Sequence, residues 1–244
     1  MKVVHAVVLA LAAGVVCLAE TVAQPPAGED RAAAIKQALA ANQAALRQYT
    51  WVETTQISLK GEEKKKEQKQ CSYGADGKVQ KTPLADSAPA AAPAKEKPDR
   101  GRRGGGKVKQ AVVANKIEDM KEYVERVGAL VHEYVPPDPA RIQAAQAAGN
   151  VKVEPSQGVT ALNIVNYLKP SDLLAIGFDA AAKKIKTFNV KSYVEKPKED
   201  DVTLTVTFAT LADGTSYPQH VALDIAAKKL AIEITNSGHR KIGT

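Results

Sequence analysis

The chain has 244 residues, 44% of them hydrophobic and 5% aromatic, with a formal net charge of +7 at pH 7. This length and composition suit one globular domain with an aliphatic core. More than half of the excess charge lies in residues 85–109, which carry seven Lys and Arg residues and three acidic ones. The charge therefore indicates a basic tether for anionic surfaces and gives no sign of a folded nucleic-acid-binding face.

The N-terminus has the pattern of an export signal. A positively charged start precedes an apolar run over residues 7–18, which is too short to span a bilayer comfortably, and small residues follow up to Ala23. We therefore predict a signal peptide over residues 1–23, cleaved after Ala23, and a periplasmic or secreted protein. Acylation at Cys17 is the alternative, although the residue before it is not the small one that a lipobox requires. After cleavage Cys71 is the sole cysteine, so we expect no internal disulfide.

The first part of the mature chain predicts one helix followed by hairpins. Apolar residues at three- and four-residue spacing indicate an amphipathic helix over Asp30–Tyr49. The β-branched run Tyr49–Leu59 predicts the first strand, and shorter strands are expected at Gln70–Tyr73 and Val79–Thr82. We expect the charged run Lys60–Lys69 between the first two strands to be a solvated hairpin tip.

Residues 85–107 combine repeated Ala-Pro with an Arg- and Gly-rich end. Such a segment has little apolar surface to bury, so we predict a disordered linker that interrupts a single α+β domain over residues 24–244. Its Arg-Gly element is similar to RNA-binding tails, but an exported chain without stacking aromatic residues nearby argues against nucleic acid. Contact with an anionic envelope surface is the remaining functional alternative.

A second helix is predicted over Val108–Tyr134, and it carries a continuous apolar stripe. The stripe steps alternately by three and four residues, which is typical of a helix packed against an apolar surface. We expect that surface to be a β-sheet and not a second copy of the helix. Prolines end the helix, and Pro139 is suited to the first position of a short third helix that closes near Gly149. The stripe consists of Val113, Ile117, Met120, Val124, Val127, Val131 and Tyr134.

The remainder of the chain predicts strands almost throughout. Three alternating runs close the chain around a turn at Asp213–Gly214, and they predict an antiparallel meander with one apolar face. The expected strands are Val159–Leu168, Leu173–Phe178, Ile185–Val194, Val202–Phe208, Tyr217–Ile225 and Leu230–Ile234.

Catalytic and metal-binding signatures are missing from the sequence, so we expect neither cofactor nor metal. No two histidines of the mature chain have a metal-ligand spacing, and we assign His239 to a polar tail. Cys71 is a candidate nucleophile, but its position in a strand favours a small buried residue. Glu53 beside the single tryptophan, Trp51, suggests a general acid, but it has no second positioned carboxylate.

The order of elements resembles the periplasmic lipoprotein-carrier superfamily, the LolA, LolB and LppX-like proteins. The resemblance rests on Arg47–Trp51, Val206–Phe208, Asp213–Thr215 and Ile232–Ser237. It implies an α+β fold in which a curved antiparallel sheet, a half-barrel, has helices covering its concave face and an apolar cavity between them. A second resemblance, to uncharacterised exported bacterial proteins, brings no established function; it rests on Gln70–Tyr73, Tyr134–Asp138 and Asn166–Pro170.

These observations lead to one main hypothesis, an exported, non-catalytic, monomeric protein that binds a lipid, a lipoprotein acyl chain or another hydrophobic ligand between sheet and helices. The alternative is a structural or protein-interaction module of the cell envelope with a filled core and no ligand. The predicted ligand-binding residues are apolar ones on both surfaces: Trp51, Ile117, Met120, Val124, Val127, Val202, Leu204, Val206, Phe208, Leu223 and Ile232.

Overall fold

A computed structural model describes residues 41–84, 106–135, 137–156, 159–179, 182 and 184–243, with the side chains of 106–117 and 156 excluded. The predicted signal peptide and residues 85–105 of the predicted linker lie outside the described residues. A helix begins at Gly106, so it overlaps the last two residues of the predicted linker.

Ten strands form one antiparallel sheet. Neighbouring strands are joined mostly by short turns, as expected where strands of opposite direction follow one another. The strands are β1 (Tyr49–Leu59), β2 (Glu62–Tyr73), β3 (Val79–Pro83), β4 (Val151–Ser156), β5 (Val159–Val165), β6 (Leu173–Asp179), β7 (Lys184–Tyr193), β8 (Asp201–Thr210), β9 (Ser216–Ile225) and β10 (Leu230–Lys241).

The sheet is open, and its strand order is β3-β2-β1-β10-β9-β8-β7-β6-β5-β4. Strands that follow each other in sequence pair with each other, except for β3 and β4. In addition, β1 pairs with β10, which comes from the opposite end of the chain. The two edges, β3 and β4, are connected through the helical segment. The predicted antiparallel sheet and its closing meander are confirmed, including the turn at Gly214, whose φ of 88° favours glycine.

Three helices accompany the sheet in the described part of the chain. Residues 41–46 are helical (α1), so the first helix ends before Tyr49, which belongs to β1. The second, α2 (Gly106–His132), lies close to its predicted position. The third, α3 (Pro139–Ala147), begins with Pro139, and the Asp138 carboxylate caps it by accepting a hydrogen bond from the amide of Ala140 at 2.9 Å.

The main core joins one face of the sheet to the helices. The buried residues of α2 belong to the same cluster as the inward residues of β5 to β10, and Tyr123 and Leu130 widen the predicted stripe. Alternation along β8 places Val202, Leu204 and Val206 inward, which is the two-residue period of a half-buried strand.

The charged run after β1 is strand, and the prediction of a solvated hairpin tip was wrong for most of it. Lys60 and Gly61 alone form the turn, both with positive φ as a two-residue type I′ hairpin requires. Residues 62–69 continue as β2 and pair with β1. The sequence pattern failed here because β2 places charged side chains, and not apolar ones, on the inward face.

Candidate functional site

A small cavity lies at the β1–β3 end of the sheet, on the same face as the core. Its volume is about 30 Å³, and it is partly open to solvent. Most of its wall is aromatic or aliphatic, with a few polar groups. The lining residues are Leu46, Trp51, Glu53, Tyr73, Val79, Lys81, Tyr217, Pro218, Asn236 and His239.

The end of α1 forms one side of this cavity. Asn42 fixes the helix to the start of β9, because its side-chain amide donates to the carbonyl of Ser216 at 3.0 Å and accepts from the amide of Ser216 at 2.8 Å. One helical turn later, Leu46 is buried against the cavity. The two hydrogen bonds of Asn42 therefore fix the position of Leu46 at the cavity.

Trp51 is held in a single orientation by Asn236. The indole Nε1 donates to Asn236 Oδ1 at 3.1 Å, and Asn236 Nδ2 donates to the carbonyl of Pro218 at 2.8 Å. Asn236 is buried, so both halves of its amide need partners, and both have them. The only tryptophan of the chain is thereby fixed in the cavity wall.

His239 stands inside the cavity, and its assignment to a polar tail was wrong. Its ring lies parallel to that of Trp51, with 6.0 Å between the centroids, and its centroid is 4.0 Å from that of Tyr217. Burial lowers the pKa of His239 to about 4, so the ring is neutral at pH 7.

A β-bulge explains how His239 reaches the inward face. Thr50 pairs with Arg240 but Val52 pairs with Ser237, so two residues of β10 stand opposite Trp51. The first of them, Gly238, has a φ of 63°, which matches the bulge type that favours glycine at this position. The inward residues of β10 change there from even to odd numbers.

A buried ion pair forms the polar part of the wall. Lys81 Nζ donates to both carboxylate oxygens of Glu53, at 2.7 and 2.6 Å. The side chain of Glu53 is 2% exposed and that of Lys81 13%. The two residues are separated by β2, on which Cys71 pairs with Lys81 and Lys69 pairs with Glu53.

The thiol of Cys71 is buried, and this confirms that the residue is a small buried one. Burial and the nearby Glu53 carboxylate raise its pKa to about 11. A thiol with so high a pKa is almost entirely protonated at pH 7 and is a poor nucleophile.

Next to the cavity, the inward face of β2 is charged but internally neutralised in part. Glu67 binds Lys65 at 2.7 Å and Lys69 at 2.8 Å. Burial alone would raise the pKa of Glu67, but the hydrogen bonds from the two lysines outweigh it and lower the pKa to about 2. These three residues do not line the cavity.

Three polar groups of the cavity wall have no hydrogen-bond partner in the described part of the chain: the hydroxyls of Tyr73 and Tyr217 and the ring nitrogens of His239. Burial raises the pKa of Tyr73, so its hydroxyl keeps its proton. The cavity therefore offers both donors and acceptors to a bound molecule.

Of the predicted ligand-binding residues, one lines the cavity and most of the others belong to the core. Trp51 lines the cavity, whereas Val127, Val202, Leu204, Val206, Leu223 and Ile232 are buried in the packed core. Met120, Val124 and Phe208 are partly buried against that core, and the side chain of Ile117 lies outside the description. The structure thus brings most of these residues together, but away from the cavity.

The carboxylates and the thiol in and next to the cavity are paired or protonated. Within the described ranges, no group of three or more His, Cys, Asp and Glu residues could hold a metal ion. The carboxylate of Glu53 is engaged by Lys81, and the thiol of Cys71 is protonated.

Among the described residues, no helix is long and apolar enough to cross a membrane.

Comparisons with protein-family models, with curated proteins and with solved structures found no match to this chain, so they assign it neither a family nor a function.

Proposed function

We propose that this is an exported, non-catalytic binding protein for a lipid or another hydrophobic ligand. In this proposal the sheet is curved, α2 and α3 cover its concave face, and the ligand enters through the cavity beside Trp51. The lipoprotein-carrier resemblance of the sequence motivates the same function.

The observation that supports the proposal is a change in packing along one face of the sheet. From β5 to β10 the inward residues form a tightly buried cluster with α2 and α3. Where β1 to β3 adjoin the start of β9 and the end of β10, the same face has an aromatic cavity instead. Apolar walls with a few polar groups are typical of small-molecule sites.

The size of the cavity favours a second candidate, the structural or interaction module with a filled core. Ligand pockets usually measure about 300–1,000 Å³, and the volume here is about 30 Å³. A whole acyl chain therefore needs the cavity to widen, whereas a module without ligand needs no change.

The single tryptophan makes a direct test possible. Native mass spectrometry of the purified protein should show a bound lipid, and the uncharged probe N-phenyl-1-naphthylamine should bind and receive excitation energy from Trp51. Val79→Phe places a larger side chain in the cavity wall and should weaken probe binding by about tenfold or more, equivalent to 1.4 kcal/mol.

Val153→Phe is the matched control, because Val153 is 60% exposed on the edge strand β4. It should leave probe binding unchanged. A ligand-free mass together with no uptake of the probe by the folded wild-type protein would reject the binding function and leave the module. Equal binding by wild type and Val79→Phe would instead place the ligand elsewhere.

A further inference from the structure

We infer that the ligand is a neutral amphiphile whose hydroxyl head binds at the Glu53–Lys81 ion pair, with its apolar part along the aromatic wall. This inference rests on the proposed binding function and specifies the chemistry of its ligand. It follows from the charge balance, the hydrogen-bonding groups and the volume of the cavity.

The charges in the cavity wall favour a ligand head without net charge. Among the described residues of the cavity wall, Glu53 and Lys81 are the charged ones, and they neutralise each other through two hydrogen bonds. His239 adds no charge at pH 7, because burial lowers its pKa to about 4. A carboxylate head would give the buried group a net charge of −1, and an ammonium head +1. An uncompensated buried charge is costly, so a neutral head is favoured.

The ion pair keeps hydrogen-bonding capacity for a ligand on both of its members. Lys81 has three N–H donors and uses two on Glu53, so one remains for a ligand oxygen. The Glu53 carboxylate has further lone pairs that accept from a ligand hydroxyl. One hydroxyl group is both donor and acceptor, and it can satisfy both members of the pair. The free hydroxyls of Tyr73 and Tyr217 serve any additional polar group of the head.

The volume of the cavity suits a small polar head group. A water molecule needs about 10–15 Å³ of such space, so 30 Å³ holds the few non-hydrogen atoms of a head group. The apolar part then follows Leu46, Val79 and the aromatic rings towards the open side. The size and the polarity of the cavity therefore both favour the head group of the ligand, and not its apolar chain, as the part that fills the cavity.

Three ligands of equal chain length test the inference: decanol, decanoate and decylammonium, each displacing N-phenyl-1-naphthylamine at pH 7. Decanol should bind the wild-type protein about tenfold more tightly than either ion, a difference of 1.4 kcal/mol. Equal or tighter binding of decanoate or decylammonium would overturn the inference. Failure of all three to bind the folded protein, together with no probe uptake, would instead remove the binding function on which it rests.

Two substitutions should change the preference in opposite directions. Glu53→Gln leaves Lys81 unpaired and should make decanoate the tightest ligand, whereas Lys81→Met leaves Glu53 unpaired and should favour decylammonium. Glu67→Gln is the control, because Glu67 has the same chemistry on the same face but lies outside the cavity. Circular dichroism confirms that each variant is folded. If a folded variant at Glu53 or Lys81 kept the wild-type order of affinities for the three ligands, the inference would be overturned. A changed order of affinities in Glu67→Gln would overturn it as well.

Discussion

Replacing Asp172 by alanine should destabilise the protein far more than a similar substitution in a neighbouring loop. Asp172 lies in the loop between β5 and β6 and is 1% exposed. Its carboxylate accepts hydrogen bonds from the amides of Tyr167 at 2.6 Å, Leu168 at 2.9 Å and Lys169 at 2.8 Å. It also accepts one from the Tyr134 hydroxyl at 2.5 Å. One side chain therefore ties the loop to the segment after α2.

The magnitude follows from which donors lose their partner. Burial and the hydrogen bond to Asp172 raise the pKa of Tyr134, so its hydroxyl stays protonated and remains a donor. The Tyr134 hydroxyl also lies 2.8 Å from Ser192 Oγ and keeps that partner, whereas the buried Tyr167 amide loses its acceptor, and an unsatisfied buried donor costs about 1–3 kcal/mol. Water can reach the other two amides, which adds less. The expected loss in the free energy of unfolding is about 2–4 kcal/mol.

Asp200→Ala is the matched control. Asp200 also caps a loop, by accepting from the amides of Glu195 at 2.9 Å and Lys196 at 2.8 Å, but those bonds are exposed. Its loss should cost about 1 kcal/mol or less. Urea unfolding, followed by both far-ultraviolet circular dichroism and Trp51 emission, measures both variants and tests two-state behaviour. Equal losses in the two variants would refute the assignment of the stability to burial of the Asp172 network.

Two further predictions concern the pH dependence and one close contact in the sheet. The depressed pKa of His239 means that the folded protein resists protonation that the unfolded chain accepts, so stability should fall as the pH drops from about 6.5 towards 4. Between pH 7 and 5 this is about 1–2 kcal/mol, and His239→Phe should remove most of that slope in urea unfolding; an unchanged slope would contradict the assignment. Gly177→Ala should cost about 1–3 kcal/mol, because a Cβ there would lie 2.2 Å from Thr187 Oγ1. Thr187→Ala in the same chain should recover most of that loss in thermal unfolding, and no recovery would show that the contact is not the cause.

Much of the sheet could be predicted because its strands follow hydrophobic alternation. In β8 the apolar residues are the buried ones, and the turn at Gly214 carries its own sequence signal. In β2 this signal is missing, because Lys65, Glu67 and Lys69 occupy the inward face and satisfy one another. A pattern of apolar residues cannot reveal a strand whose buried positions are paired charges.

The cavity was harder to predict because it depends on register. Glu53 and Lys81 are 28 residues apart and meet only through two successive strand pairings. His239 enters the cavity only because the bulge at Gly238 changes the direction of the following side chains. The available signal was the glycine itself, four residues beyond the alternating run Leu230–Ile234, and its effect depends on the pairing with β1. The secondary-structure propensities of the individual residues therefore predict neither the Glu53–Lys81 pair nor the position of His239.

The pairing of β1 with β10 has a consequence for the order in which the fold is completed. The paired residues are about 170 or more positions apart in the chain, whereas β4 to β10 can add to one another as successive hairpins. Ribosomal synthesis therefore finishes β1 long before its second neighbour exists, and contacts of such high sequence separation form slowly. Trp51 on β1 and Asn236 on β10 meet across this last junction. A molecule in the cavity contacts both sides of it, so binding would oppose separation of the three-stranded and seven-stranded parts and stabilise the protein by mass action.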